Sequence, residues 1–324
     1  MKKGKLLTLL PLMAIALTGC AKKSWIIKYD PDKVYNIGIC QLLAHPALDA
    51  ATDGFMKTVE EGLGKEKVKF DMQDAAGEPA TCSTIANSFV NKKVDLIMAN
   101  ATPALQACAN ATLDIPILGT SVTEYGVALS LKDFNGVVGG NVSGTSDLAP
   151  LDGQADMVTE LFPNAKKVGL LYCSAEANSK YQIDTVEGLL QKKGLETKRI
   201  SFVETNDLQS VLTAGIVGLD VLYIPTDNKC ADNVTIIDSI CRQAELPVIC
   251  GEENICKGCG VATLSIDYFN LGVKTGEMAL EIIKEGKDIS EMKIAYDENP
   301  VKKFNKEICD DLGVTVPATY TQIA

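Results

Sequence analysis

One pattern limits this chain more than any other: a series of strand and helix signals in the first half that returns in the second. Val34–Cys40 reads as a buried strand, and Ala47–Leu63 as a helix with Ala50, Phe55, Val59 and Leu63 on or near one face. Val68–Met72 is a second strand and Thr81–Asn91 a second helix. Val94–Ala99 is a third strand, Pro103 opens a helix where its missing N–H costs little, and Ile115–Gly119 is a fourth strand. Short β-branched runs alternating with longer segments of helical period define an α/β chain with parallel sheets.

The second half repeats this order. Lys167–Tyr172 corresponds to the first strand, Asp220–Ile224 to the third and Leu246–Cys250 to the fourth. Ile37 and Val168 lie 131 residues apart, Asp95 and Asp220 125, and Ile115 and Leu246 131. Shared order and spacing predict two doubly wound lobes rather than one large sheet. A Gly-rich passage, Gly136–Gly144, crosses between the halves. The tail is expected to form an amphipathic helix over Leu271–Lys284, an extended piece at Lys293–Tyr296, a helix over Lys302–Leu312 and a last strand at Val314–Val316. It is long enough for the chain to cross back to the first lobe and out again. The expected boundaries are 34–145 with about 272–297 for lobe 1, and 146–271 with about 298–324 for lobe 2.

Parallel sheets present their ligands beyond the carboxyl ends of the strands, where helix N-termini converge. The first-half loops are Gln41–Pro46, Asn100–Thr102 and Thr120–Thr123, rich in hydroxyls and amides that suit a carboxylate. The second-half loops are Ser174–Ser179, Pro225–Asn228 and Gly251–Glu253, whose Asp227, Glu252 and Glu253 suit an ammonium group. A zwitterion satisfies both sides. Thr102, Asp227 and Asn228 are equally placed to cap helices.

Catalytic readings find little support. No Walker-type phosphate loop or GxSxG elbow is present, and Gly258-Cys259-Gly260 leads into Thr263 where a dinucleotide fold needs glycine. The only histidine, His45, precedes Pro46 at the mouth of a helix, a place for ligand contact or capping rather than general-base work. With 31 Lys and Arg against 42 Asp and Glu, the net charge of −11 argues against nucleic acid, whose phosphates need a basic surface. Cys256-x-x-Cys259, with Cys250 as a possible third thiol, lacks a fourth metal ligand; free thiols or a local disulfide are the expectation, with no metal and no cofactor.

The first residues supply an address. Lys2, Lys3 and Lys5 precede an apolar run, Leu6–Gly19, that is too short to span a membrane, which needs about 20 apolar residues, and has the form of a secretory signal. It ends in Leu17-Thr18-Gly19-Cys20, a bacterial lipobox: 1–19 would be removed, Cys20 acylated, and 20–33 would form a tether in which the only tryptophan, Trp25, lies outside the core. Ten further cysteines remain, many in apolar segments where they serve as small hydrophobes. So many thiols on an exported chain point to an anaerobic habitat.

Several phrases together resemble one family. They are Ile37–Gln41, His45–Asp49, Ala101–Ala104, Gly139–Gly144, Glu176–Ser179, Pro225–Asn228 and Asp267-Tyr268. From about Val34 to Pro317 the chain is similar to ABC transporter substrate-binding lipoproteins, the family that includes tryptophan/tyrosine-binding proteins. The resemblance implies a type I periplasmic-binding-protein fold with three crossovers, and a monomeric receptor that delivers its ligand to a permease driven by an ATPase. An aromatic amino acid is the expected ligand, with Tyr125, Tyr181 and Tyr268 as candidate walls. Alternatives are a branched-chain amino acid or nucleoside, or a sensor feeding a membrane signalling partner. Loop position, charge and likeness together place the ligand carboxylate on Thr102, Ser121 and Thr123 and the ammonium on Asp227. Gln41, His45, Asn178, Ser179, Thr226 and Glu252 complete the expected site.

Overall fold

The computed structural model describes residues 24–297 and 299–323. The signal segment and Cys20 lie outside the described residues. Five strands begin the chain: β1 (Tyr35–Gln41), β2 (Val68–Asp74), β3 (Leu96–Asn100), β4 (Ile117–Val122) and β5 (Val142–Ser146). Helices α1 (Pro46–Leu63), α2 (Pro79–Lys92), α3 (Thr102–Ala111) and α4 (Tyr125–Ala128) connect them. α5 (Leu151–Leu161) leads to β6 (Lys167–Cys173), α6 (Ala177–Lys192), β7 (Glu196–Phe202), α7 (Thr205–Gly215) and β8 (Val221–Ile224). α8 (Asn228–Asp232), α9 (Val234–Gln243), β9 (Val248–Cys250), α10 (Glu253–Cys259) and β10 (Ala262–Ser265) follow. The tail comprises α11 (Tyr268–Lys284), β11 (Ala295–Tyr296), β12 (Val301–Phe304), α12 (Lys306–Leu312) and β13 (Thr321–Gln322).

These strands form two sheets, β11-β5-β4-β3-β1-β2 and β13-β12-β10-β9-β8-β6-β7. Every pairing between strands is parallel except β10 with β12. Helices cover both faces of each sheet, so β3, β4, β8 and β9 are buried along their whole length. The chain passes between the lobes after β5, after β10 and again between β11 and β12.

The second passage returns α11 to lobe 1, where it lies against α1 at backbone contact. A Cβ on Gly54 would stand 2.2 Å from the Phe269 carbonyl oxygen, and one on Gly272 2.0 Å from that of Ala51. Met278, Ala279, Ile282 and Ile283 of α11 thereby join Ile37, Ile39, Phe55 and Leu96 in one core. A smaller cluster, Ala47, Ala51, Ala149, Ile266, Tyr268 and Leu271, packs where the crossing segments meet α1.

Two parts of the sequence behave differently from their local signals. Val301–Phe304 is a strand antiparallel to β10, so the final helix starts only at Lys306. Asn305 stops the strand and caps the helix, accepting from the Ile308 N–H at 3.3 Å. Val314–Val316 is not a strand; Val314 and Val316 pack on the second core, and β13 forms five residues later. Residues 24–29 are also less free than a tether. Trp25 packs partly buried against lobe 1 and its indole N–H donates to the Leu113 carbonyl at 2.9 Å. No helix among the described residues is long and apolar enough to cross a membrane.

Candidate functional site

A cavity lies between the lobes, at the carboxyl ends of both sheets. With about 10 Å³ open to a water-sized molecule, its walls nearly meet. Lobe 1 and the hinge supply His45, Leu48, Ser121, Thr123, Asp147 and Tyr268; lobe 2 supplies Asn178, Thr226, Asp227, Asn228, Ala231 and Glu252. Seven of the residues read from the loops are thus brought together: His45, Ser121, Thr123, Asn178, Thr226, Asp227 and Glu252.

Gln41, Thr102 and Ser179 do not line it. Gln41 is fully buried behind α1: its Nε2 donates to Asp49 Oδ1 at 2.7 Å and the Leu43 carbonyl at 3.0 Å, and its Oε1 accepts from the Thr52 hydroxyl at 2.7 Å. Asn100 adds a 2.8 Å bond to the Leu48 carbonyl, so this network fixes the first turn of α1, which carries His45 and Leu48 into the cavity. Thr102 opens α3 and is buried; Ser179 is buried in the first turn of α6. Of the three tyrosines, only Tyr268 reaches the cavity. The Tyr125 phenol is buried and donates to the Thr145 carbonyl at 3.0 Å. Tyr181 is half-buried on α6.

Backbone strain marks the lobe 1 side. Ser121 has φ +52°, left-handed for a residue with a Cβ, and the β4–β5 register shifts between Gly119 and Val122. The bulge turns the end of β4 so that Ser121 and Thr123 both enter the cavity.

The carboxylates of lobe 2 are largely occupied with capping. Asp227 accepts from the Cys173 N–H at 2.7 Å through Oδ2 and from the Cys230 N–H at 2.8 Å through Oδ1, as the N-cap of α8. Glu252 caps α10, its Oε2 accepting from the Asn254 N–H at 2.7 Å and its Oε1 from the Ile255 N–H. Burial pushes Glu252 up to about 7 even so. Glu176, just behind the wall, accepts from the Asn228 N–H at 3.1 Å, the Asn228 Nδ2 at 2.7 Å and the Lys229 N–H at 3.0 Å. Burial, and then the charge of Asp227, push its carboxyl upward.

Asp147 differs from all of these. It follows β5 and is 4% exposed. Its Oδ2 accepts from the Tyr268 phenol at 3.0 Å, while Oδ1 is buried with no partner. Burial raises its carboxyl to about 6, against the opposing effect of the Thr123 and Tyr268 hydroxyls. No loop reading points to it, because the strand it follows reads in the sequence as the tail of a Gly-rich crossing. Its signal is the polar run Val142–Ser146, buried throughout.

Eight buried side-chain polar atoms lack a hydrogen-bond partner among the described residues: both ring nitrogens of His45, Ser121 Oγ, Asp147 Oδ1, Asn178 Oδ1, Asn100 Oδ1, Thr263 Oγ1 and Ser290 Oγ. The first five line this one cavity. Unpaired buried groups each cost about 1–3 kcal/mol, so their convergence marks a place completed by a ligand. No lysine or arginine lines the cavity, whereas three carboxylates do. The site fits a small molecule that brings its own cation.

Two α/β lobes closing on such a cavity define a solute-binding protein. The chain matches the family of ABC transporter substrate binding proteins over residues 36–324 and belongs to it. It is 37% identical over 289 residues to a tyrosine-binding protein of Clostridioides difficile (strain R20291), covering 86% of this chain and 82% of that protein. The structure of a Streptococcus pneumonia ABC domain in complex with L-Trp is 29% identical, with a TM-score of 0.85, covering 90% of this chain and all of that one. A ligand-free, open substrate-binding protein from Clostridium difficile is 36% identical but has a TM-score of 0.70, covering 90% of this chain and 99% of that one. The fold is that of the type I periplasmic-binding proteins, and proteins of this family work outside the cytoplasm.

Among the described residues no group of three or more His, Cys, Asp or Glu is placed to hold a metal ion. The ten described cysteines are buried free thiols, and none lines the cavity.

Proposed function

We propose that the protein captures an aromatic amino acid as its zwitterion and delivers it to an ABC permease driven by a cytoplasmic ATPase. The observation that carries this reading is the convergence of five unpartnered buried atoms in an acidic cavity between two closing lobes. The ligand ammonium pairs with Asp147 Oδ1, in place of Asp227, whose two oxygens are taken by backbone N–H groups. The ligand carboxylate accepts from the Ser121 and Thr123 hydroxyls. Tyr268, Leu48 and Ala231 supply apolar surface for the ring. The tyrosine-binding and L-Trp-bound relatives support this ligand class.

The protein acts as a monomer that binds without converting its ligand. Acylation of Cys20 holds it on the outer face of the cytoplasmic membrane, and residues 34–145 with about 272–297 move as one lobe against the remainder. Calorimetric titration with the twenty amino acids tests the ligand reading. Tyrosine or tryptophan at 100 times its dissociation constant stabilises by roughly 2.7 kcal/mol. That is a rise of roughly 5–10 °C in melting temperature. Binding of another class with silence from the aromatic amino acids would refute the assignment.

A further inference from the structure

His45 is the only histidine of the chain and stands at the N-terminus of α1 with extended backbone, φ −154° and ψ 158°. A residue there commonly caps the helix through its side chain, yet this imidazole makes no capping bond. It is 91% buried by its 9% exposure, and neither ring nitrogen has a partner. Burial holds it below the ordinary imidazole value, against the Asn228 side chain, which lies where it can accept from one ring N–H, and the charges of Asp49 and Asp232, so the ring is neutral and its other nitrogen keeps a free lone pair.

Its surroundings set it apart from the ammonium site. Asp147 enters the cavity from the end of β5, held by the Tyr268 phenol, whereas His45 enters it from the N-terminus of α1, so the two reach it from different elements. Leu48 lies one helical turn on from His45, and Ala231 one turn on from Asn228; both also line the cavity. A ligand whose ammonium sits on Asp147 directs its other end into this mixed apolar and imidazole surface.

Resting on the aromatic amino-acid reading, we infer that the His45 imidazole accepts a hydrogen bond from the ligand's ring substituent, a phenol O–H or an indole N–H, and so selects against phenylalanine. A phenyl ring would leave the imidazole buried and unpaired, and a site built around a polar partner rejects the analogue that lacks it far more strongly than a merely apolar pocket does.

The test is titration of the full exported chain with tyrosine, tryptophan, phenylalanine and O-methyltyrosine, for the wild type, His45→Leu and His45→Gln, each checked by thermal melting. The wild type is expected to bind tyrosine and tryptophan at least about tenfold more tightly than phenylalanine and O-methyltyrosine. His45→Leu closes that gap, and His45→Gln, which can still accept, restores part of it. Equal binding of all four ligands by the wild type, or a gap that survives in His45→Leu, overturns the inference and leaves the aromatic reading intact. A wild type that binds none of the four overturns both. If His45→Leu does not fold, the comparison of tyrosine with O-methyltyrosine in the wild type, together with His45→Gln, decides the matter.

Discussion

Tyr268 and Asp147, 121 residues apart, share a 3.0 Å hydrogen bond inside the inter-lobe cavity. One opens α11, which belongs with lobe 1; the other follows β5, where the chain leaves for lobe 2. The phenol fixes one carboxylate oxygen and leaves the other facing the cavity without a partner. Asp147→Asn should therefore weaken binding of a zwitterionic ligand by about 2–5 kcal/mol in calorimetry, since one member of a buried charge pair is removed. Asp227→Ala should instead mainly lower stability, by roughly 0.5–2 kcal/mol for the lost cap, read in denaturant unfolding. The opposite pattern would return the ammonium to Asp227.

Affinity should depend on pH with a definite sign. Burial holds the free Asp147 carboxyl at about 6, above its ordinary value, and an ammonium partner favours the ionised form. Binding then expels a proton below pH 6, so the dissociation constant is flat above about pH 6 and rises below it, by at most about tenfold per pH unit. Glu252 contributes the reverse trend to the stability of the fold. Its folded value of about 7 exceeds the ordinary one, so the fold loses stability as pH climbs toward 7. Titrations across pH 4.5–8 separate the two; an affinity that improves on acidification contradicts the Asp147 role.

Gly272→Ala should propagate from packing to binding. Its new Cβ would stand 2.0 Å from the Ala51 carbonyl oxygen, a backbone atom that cannot turn aside. α11 must move off α1, costing about 1–3 kcal/mol or more. Tyr268, one turn earlier on α11, moves with it and ligand affinity drops. Gly188→Ala on α6 is the control, since nothing lies within 4 Å of its Cβ position. That change should stabilise by about 0.5–1 kcal/mol and leave affinity unchanged.

All ten described cysteines are buried as free thiols. Burial pushes the Cys173 thiol up to about 12, far from the thiolate form that reacts. A thiol reagent should find none of the ten in the native protein, and all ten after unfolding in guanidinium without reductant. Fewer after unfolding would mean that the secreted protein carries disulfides.

Much of the architecture was legible because buried parallel strands need continuous apolar runs, and Val168–Tyr172 or Leu96–Ala99 have no other use for theirs. The site was legible to the extent that it follows strand ends, as at Ser121, Thr226 and Glu252. Asp147 was hidden because β5 carries Ser143, Thr145 and Ser146 rather than apolar side chains. Their hydroxyls make the strand buriable: Ser143 donates to the Met292 carbonyl at 3.2 Å, Ser146 to that of Thr123 at 2.7 Å, and Thr145 lies 2.8 Å from the Thr275 hydroxyl. No local pattern announces partners that far away. β12 escaped for a related reason, its lysines being paired with Glu160 and Glu253 one strand in from the edge of the second sheet. Gln41 and Asp227 show the other limit, since a polar residue at a strand end serves equally well to hold a helix in place.

The late return of α11 to lobe 1 bears on how the protein is made. The core beneath β1 and β3 stays open on one side until Met278–Ile283 have been synthesised, long after those strands emerge. The first lobe therefore cannot complete its core until most of the chain has been made, and the order of the elements builds that delay into a protein whose family works outside the cytoplasm.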